Sequence, residues 1–106
     1  MGVIVIVAYK PRPGQESGLL AEMKTHVPIL RQEGLATDRP ATLMKANDGT
    51  IIEVFEWVSA DAIAKAHTNP AVQAMWGRFN AVCTYEPLVN LEECKQMFAG
   101  FEAVEL

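Results

Sequence analysis

The sequence predicts an α+β fold: a single antiparallel sheet with its helices on one face. Three observations carry this. Residues 3–9 form a β-branched, apolar run with no alternation, and the period then changes to that of a helix. An Asn47-Asp48-Gly49 turn, a strong hairpin signal, separates two further strand-like runs. After Asn69-Pro70, the apolar residues Val72, Met75, Trp76 and Phe79 fall at i, i+3, i+4 and i+7, and a last strand-like run follows.

Each element has its own local reason. Residues 3–9 read as a strand buried on both faces. Residues 10–14, with two prolines and a glycine, form a loop. Residues 15–33 read as an amphipathic helix on the arc of Leu19, Leu20, Met23, Val27 and Leu30. Pro28 is expected to kink or split that helix, and Gly34 to end it. Residues 39–46 and 50–58 are strands flanking the hairpin turn. In the second, Ile51, Glu53, Phe55 and Trp57 share one face, while Ile52, Val54, Glu56 and Val58 share the other. Ser59 caps a short helix over 60–67, with Asp61 in its first turn. Asn69 caps the next helix, with Pro70 at its first position. Residues 81–89 are a fourth strand, 91–98 a short helix broken by Gly100, and 101–106 a terminal strand or arm. The order is β-α-β-β-α-β, a ferredoxin-like sandwich, in one domain spanning 1–106 with a C-terminal arm from about residue 91.

Composition narrows the function. The chain has 106 residues, 50% of them hydrophobic and 21% charged, which is too apolar for a disordered segment and enough for one core. Its formal charge of −4 argues against a nucleic-acid partner, which asks for a basic face. No apolar run reaches the ~20 residues of a membrane span, and the N-terminus lacks a signal peptide's basic region, so a cytoplasmic location is expected. Cys83 and Cys94 form no CxxC motif and read as reduced thiols. The two histidines lack metal-ligand spacing, so no metal site is expected.

Helices cover only one face of such a sheet, yet the first and third strands carry apolar side chains on both. The uncovered patch is therefore expected to meet a second copy, giving a twofold homodimer through the open sheet face.

The run Glu56-Trp57-Val58-Ser59-Ala60-Asp61-Ala62, followed by Ala66-His67-Thr68-Asn69-Pro70, resembles the antibiotic biosynthesis monooxygenase family, as does the Asp48-Gly49-Thr50 hairpin. The resemblance covers residues 3–89. It implies a dimeric α/β barrel and, among the family's activities, cofactor-independent oxygenation of phenols or quinols. In the oxygenases of phenolic polyketides, the tryptophan corresponding to Trp57 works with an amide in the same strand; here the neighbouring positions are Glu53 and Val54. The haem-degrading branch adds an Asn at the end of the first strand and a His near Met75-Trp76. Ala8-Tyr9 and the absence of that His disfavour haem degradation.

Oxygenating a phenol without a cofactor requires a base, an apolar pocket for the anion beside dioxygen, and hydrogen-bond donors. The catalytic candidates are His67, Trp57 and Glu53. His67 is a base at a helix junction, or else caps the turn that follows it. Trp57 points its indole N–H at a substrate oxygen, or else is a core or interface aromatic. Glu53 is a carboxylate on an otherwise apolar strand face, to be raised in pKa or paired with Arg39, Lys45 or a partner cation. Tyr9, Phe55, Trp76 and Phe79 are the candidate substrate-binding residues, for a small aromatic ligand. His26 reads as a boundary histidine on the first helix. The alternative function is a non-catalytic or stress-related dimeric α/β-barrel protein that binds a small molecule. A cavity of a few hundred Å³ between helices and sheet, lined by Trp57 with His67 or Glu53 reaching in, would favour the enzyme, and a solid helix–sheet layer would favour the binder.

Overall fold

The computed structural model describes residues 2–106. Five strands form one sheet: β1 (Val3–Pro11), β2 (Thr42–Lys45), β3 (Ile51–Trp57), β4 (Cys83–Glu86) and β5 (Glu102–Ala103), in the spatial order β4-β1-β3-β2-β5. Every pairing is antiparallel. Helices α1 (Glu16–Gln32), α2 (Ala60–Ala66) and α3 (Pro70–Val82) complete the fold, which is α+β and ferredoxin-like.

The termini of the elements obey the local chemistry. Ser59 Oγ accepts from Ala62 N at 3.2 Å, and Asn69 Oδ1 accepts from Val72 N at 3.1 Å, so both caps satisfy first-turn amides. Gly34 has φ +75° at the end of α1. There Leu35 N bonds Leu30 O and Gly34 N bonds Arg31 O, the paired bonds of a Schellman motif. Between β2 and β3, Gly49 takes φ +94° and Asp48 Oδ1 accepts from Thr50 N at 2.9 Å.

Three expectations need correction. Pro28 does not split α1, which continues to Gln32. The proline removes one amide, whereas burial of Leu19, Met23, Val27 and Leu30 holds both halves against the sheet. The fourth strand is shorter than expected: α3 runs to Val82 and Pro87 closes β4 after Glu86. Residues 91–98 form no regular helix; the C-terminal segment makes two 3₁₀ turns, Leu88–Asn90 and Glu92–Lys95, before β5 pairs with β2. On the sheet face away from the helices, the side chains of β1 are open in the single chain, with Ile4 54% and Ile6 52% exposed.

The core divides between the two sheet faces. The larger part lies between sheet and helices, where Leu19, Leu30, Val72, Met75 and Phe79 are fully buried. Burial of side chains of this size stabilises the fold by roughly 1.5–3 kcal/mol each. A smaller cluster on the opposite face joins Ala8, Ala46 and Ile52 to Leu91, with Leu88 and Phe101 packed against it. The C-terminal segment thus covers one end of its own open sheet face and leaves Ile4 and Ile6 uncovered at the other.

Candidate functional site

Glu53 is the point at which the fold departs from simple packing. It sits in the middle of β3, facing the helices, and is 1% exposed. The β1–β3 register sets Glu53 opposite Val7 and Ile51 opposite Tyr9, so Tyr9 and Glu53 are diagonal neighbours on one face. Tyr9 donates its hydroxyl proton to Glu53 Oε1 at 2.8 Å. From above, α1 brings His26, whose Nδ1 lies 2.7 Å from the same oxygen. Glu53 Oε1 thus serves both buried neighbours, the Tyr9 hydroxyl and His26 Nδ1, as burial of such groups favours.

A carboxylate accepting from Tyr9 also orders the imidazole. With the Nδ1–H donated to Glu53, the lone pair resides on Nε2, which makes no hydrogen bond within the described residues. The ring is held edge-to-face against Phe55 (5.2 Å between centroids) and Phe79 (5.3 Å). Burial, followed by the Glu53 charge and its hydrogen bond, raises the Tyr9 hydroxyl well above the usual phenol pKa, so Tyr9 stays a donor.

His26 and Tyr9 form part of the wall of a cavity of about 500 Å³ between α3, α2 and the sheet. Val5, Val7, Phe55, Trp57, Ile63, Trp76 and Phe79 make the rest of that wall largely apolar and aromatic. Gln73, Asn80 and Tyr85 add neutral polar groups, and no lining residue is an acid, a lysine or an arginine. The cavity thus has the volume and polarity of a small-molecule site. Among the described residues, no three of His, Cys, Asp and Glu converge as a metal site would require.

Of the residues singled out from sequence, Tyr9, Phe55, Trp57, Trp76 and Phe79 line this cavity together. Glu53 stands behind the wall, joined to it through Tyr9 and His26. Its predicted cation partners are not there: Arg39 pairs with Glu56 at 3.1 Å, and Lys45 is exposed at the end of β2, between Ile51 of β3 and Glu102 of β5. His67 is exposed at the C-terminus of α2, its ring 5.2 Å from the Trp76 ring, and it does not line the cavity. The cavity histidine is His26, expected from the sequence to lie partly exposed at the edge of the apolar arc of α1 but in fact buried. A signal was present: Leu19, Met23, His26 and Leu30 are spaced 4, 3 and 4 apart, along the centre of the buried stripe. A histidine there, facing a strand that carries an inward carboxylate, points to a buried pair.

Family models and curated proteins give no match to this chain. Solved structures do. SnoaB, a cofactor-independent oxygenase from Streptomyces nogalater, superposes with a TM-score of 0.66 at 15% identity, over 80% of this chain and 86% of that one. Rv0793 from Mycobacterium tuberculosis superposes with a TM-score of 0.62 at 23% identity, over 82% and 87%. At these identities the likeness establishes a shared fold.

Proposed function

We propose that this chain is a cofactor-independent oxygenase of a small, neutral, hydroxylated aromatic compound such as a phenol, an anthrone or a quinol. The observation that carries the reading is the His26–Glu53–Tyr9 cluster in the wall of an otherwise apolar, uncharged cavity. The shared fold with SnoaB supports the reaction class.

His26 Nε2 takes the acidic proton of the substrate, and the Glu53 carboxylate balances the imidazolium. The aromatic walls exclude water and hold the electron-rich anion beside dioxygen. For an anthrone-type substrate, the activated CH₂ becomes a carbonyl. One oxygen atom enters the product and the other leaves as water, so four electrons pass from substrate to dioxygen with no external reductant. The His26 proton serves the peroxide formed on the way. Trp57 and Tyr85, both at the wall, are the neutral donors for substrate oxygens.

The active form is proposed to be a homodimer through the open sheet face. Ile4 and Ile6, about half exposed on a central strand, support this.

The test is oxygen uptake with a panel of naphthols, anthrones and quinols, using the protein freed of metal by chelation. Uptake with formation of a quinone or ketone product is the expected result. Tight binding of these compounds with no oxygen uptake would instead identify a small-molecule-binding protein.

A further inference from the structure

We propose that Glu53 is a two-sided carboxylate that passes protons between His26 and a second, water-accessible cavity, so that the site exchanges protons with solvent while its substrate cavity is closed. The inference rests on the reading of His26 as the group that takes the substrate proton.

Both hydrogen bonds to Glu53, from Tyr9 and from His26, fall on Oε1. Its other oxygen, Oε2, has no partner within the described residues, yet is not among their fully enclosed, orphaned polar atoms. The reason lies on the far side of the residue. Glu53 lines a separate cavity of about 360 Å³ between α1, β2 and the residues that follow β5, whose walls include Met23, Val27, Ala41, Leu43 and Val104. Lys24, Arg31 and Glu105 also line it, and Lys24 and Glu105 are exposed, so charged groups draw water to its mouth. Glu53 contributes nothing to the walls of the 500 Å³ cavity, and His26 nothing to those of the second. Among the described residues the two linings share no member, and the Glu53–His26 and Glu53–Tyr9 hydrogen bonds join a residue of one to residues of the other.

The proton balance closes. His26 Nε2 receives the substrate proton, and the imidazolium releases its Nδ1 proton to Glu53 Oε1. Rotation about the Cγ–Cδ bond turns the carboxylic acid toward the second cavity, and water there takes the proton. When Nε2 later donates its proton to the reduced oxygen, Nδ1 is reprotonated by the same route in reverse. No proton is gained or lost over the cycle. Glu53 is a positioning and relay residue that never touches substrate.

The experiment follows exchange of the His26 Nδ1 proton with water by NMR on protein labelled with ¹⁵N-histidine, so it needs neither turnover nor an identified substrate. Gly77 lines the first cavity on α3 and a Cβ there meets nothing within 4 Å, so Gly77→Phe closes that side. Ala41→Phe closes the other. Gly77→Phe is expected to change exchange by less than about twofold. Ala41→Phe in the Gly77→Phe background is expected to slow it at least tenfold. Glu53→Gln, which retains an acceptor but cannot take up and pass on a proton, should match that slowing in the Gly77→Phe background, which a merely structural role for Glu53 would not produce. Should either plug prevent folding, saturating 1-naphthol replaces Gly77→Phe and Val104→Phe replaces Ala41→Phe. Slowing by Gly77→Phe or 1-naphthol alone, or exchange indifferent to plugging the second cavity, overturns the proposal. Absence of oxygen uptake would overturn the oxygenase reading instead and leave these rates as measured.

Discussion

His26 Nδ1 lies 2.7 Å from Oε1 of Glu53, a pair formed between residues 27 apart in sequence and enclosed between α1 and β3. The pair fixes which imidazole nitrogen faces the cavity, and so which histidine of this chain is placed to move a proton.

A first prediction separates the two histidines. His26→Ala should lower oxygen uptake with the responsive phenol or quinol by roughly 10²–10⁴-fold, the usual worth of a general base. His67→Ala, at an exposed position outside the cavity, should stay within about twofold of the parent rate. Far-ultraviolet circular dichroism of each variant checks that folding is intact.

A second concerns the buried hydroxyl. Tyr9→Phe removes one of the two donors to a carboxylate that is 1% exposed. A hydrogen bond to a charged group contributes about 1.5–3 kcal/mol, and urea unfolding should show a loss of that order. Glu53→Ala should cost more, since it strands both Tyr9 and His26, while Glu53→Gln should cost less because an acceptor remains.

A third is the response to alkali. Burial raises the Cys83 thiol from 9.0 to about 11, partial burial raises the half-exposed Tyr85 hydroxyl from 10.0 to about 12, and burial holds the Tyr9 hydroxyl well above its ordinary value. In each case the folded state holds its proton more tightly than the unfolded chain. The stability so conferred is complete below the unfolded pKa and is lost as pH rises, between 9 and 11 for Cys83 and between 10 and 12 for Tyr85. Stability should therefore fall steadily above pH 9, where the window of Cys83 opens. Tyrosinate absorbance of the folded protein should lag behind that of the chain in denaturant.

A fourth uses the thiols themselves. Cys94 is exposed and Cys83 is buried, its Sγ donating to Phe79 O at 3.2 Å. An aromatic disulfide reagent near neutral pH should titrate one thiol in the folded protein and two in denaturant. Two fast thiols in the folded protein would contradict the packing beneath β4.

A fifth tests the proposed dimer. Ile6→Glu places a charge in the centre of the exposed patch on β1, where Ile4 and Ile6 are the uncovered apolar side chains. Light scattering should show the parent chain as a dimer at micromolar concentration and the variant shifted toward monomer, with the helix-side cavity undisturbed.

The sequence by itself determined the fold class and most of the elements. Strand propensity, the caps at Ser59 and Asn69, and glycine at positions 34 and 49 are local signals, read over a few residues and satisfied by bonds within the same turn. It also exposed Glu53 as an anomaly, since a carboxylate among Ile51, Phe55 and Trp57 breaks the pattern of a buried strand face. What it did not determine was the partner of that carboxylate. Local pattern favoured a cation and, for the base, the histidine at a helix junction. Only the β1–β3 register and the seating of α1 across the sheet decided that Tyr9 and His26 converge on Glu53, leaving His67 outside. The same holds for the course of α1 through Pro28 and for the C-terminal segment folded back over Ile52. Each of these turns on contacts between residues distant in sequence, where burial outweighs the local preference, and that balance is struck only when the layers pack.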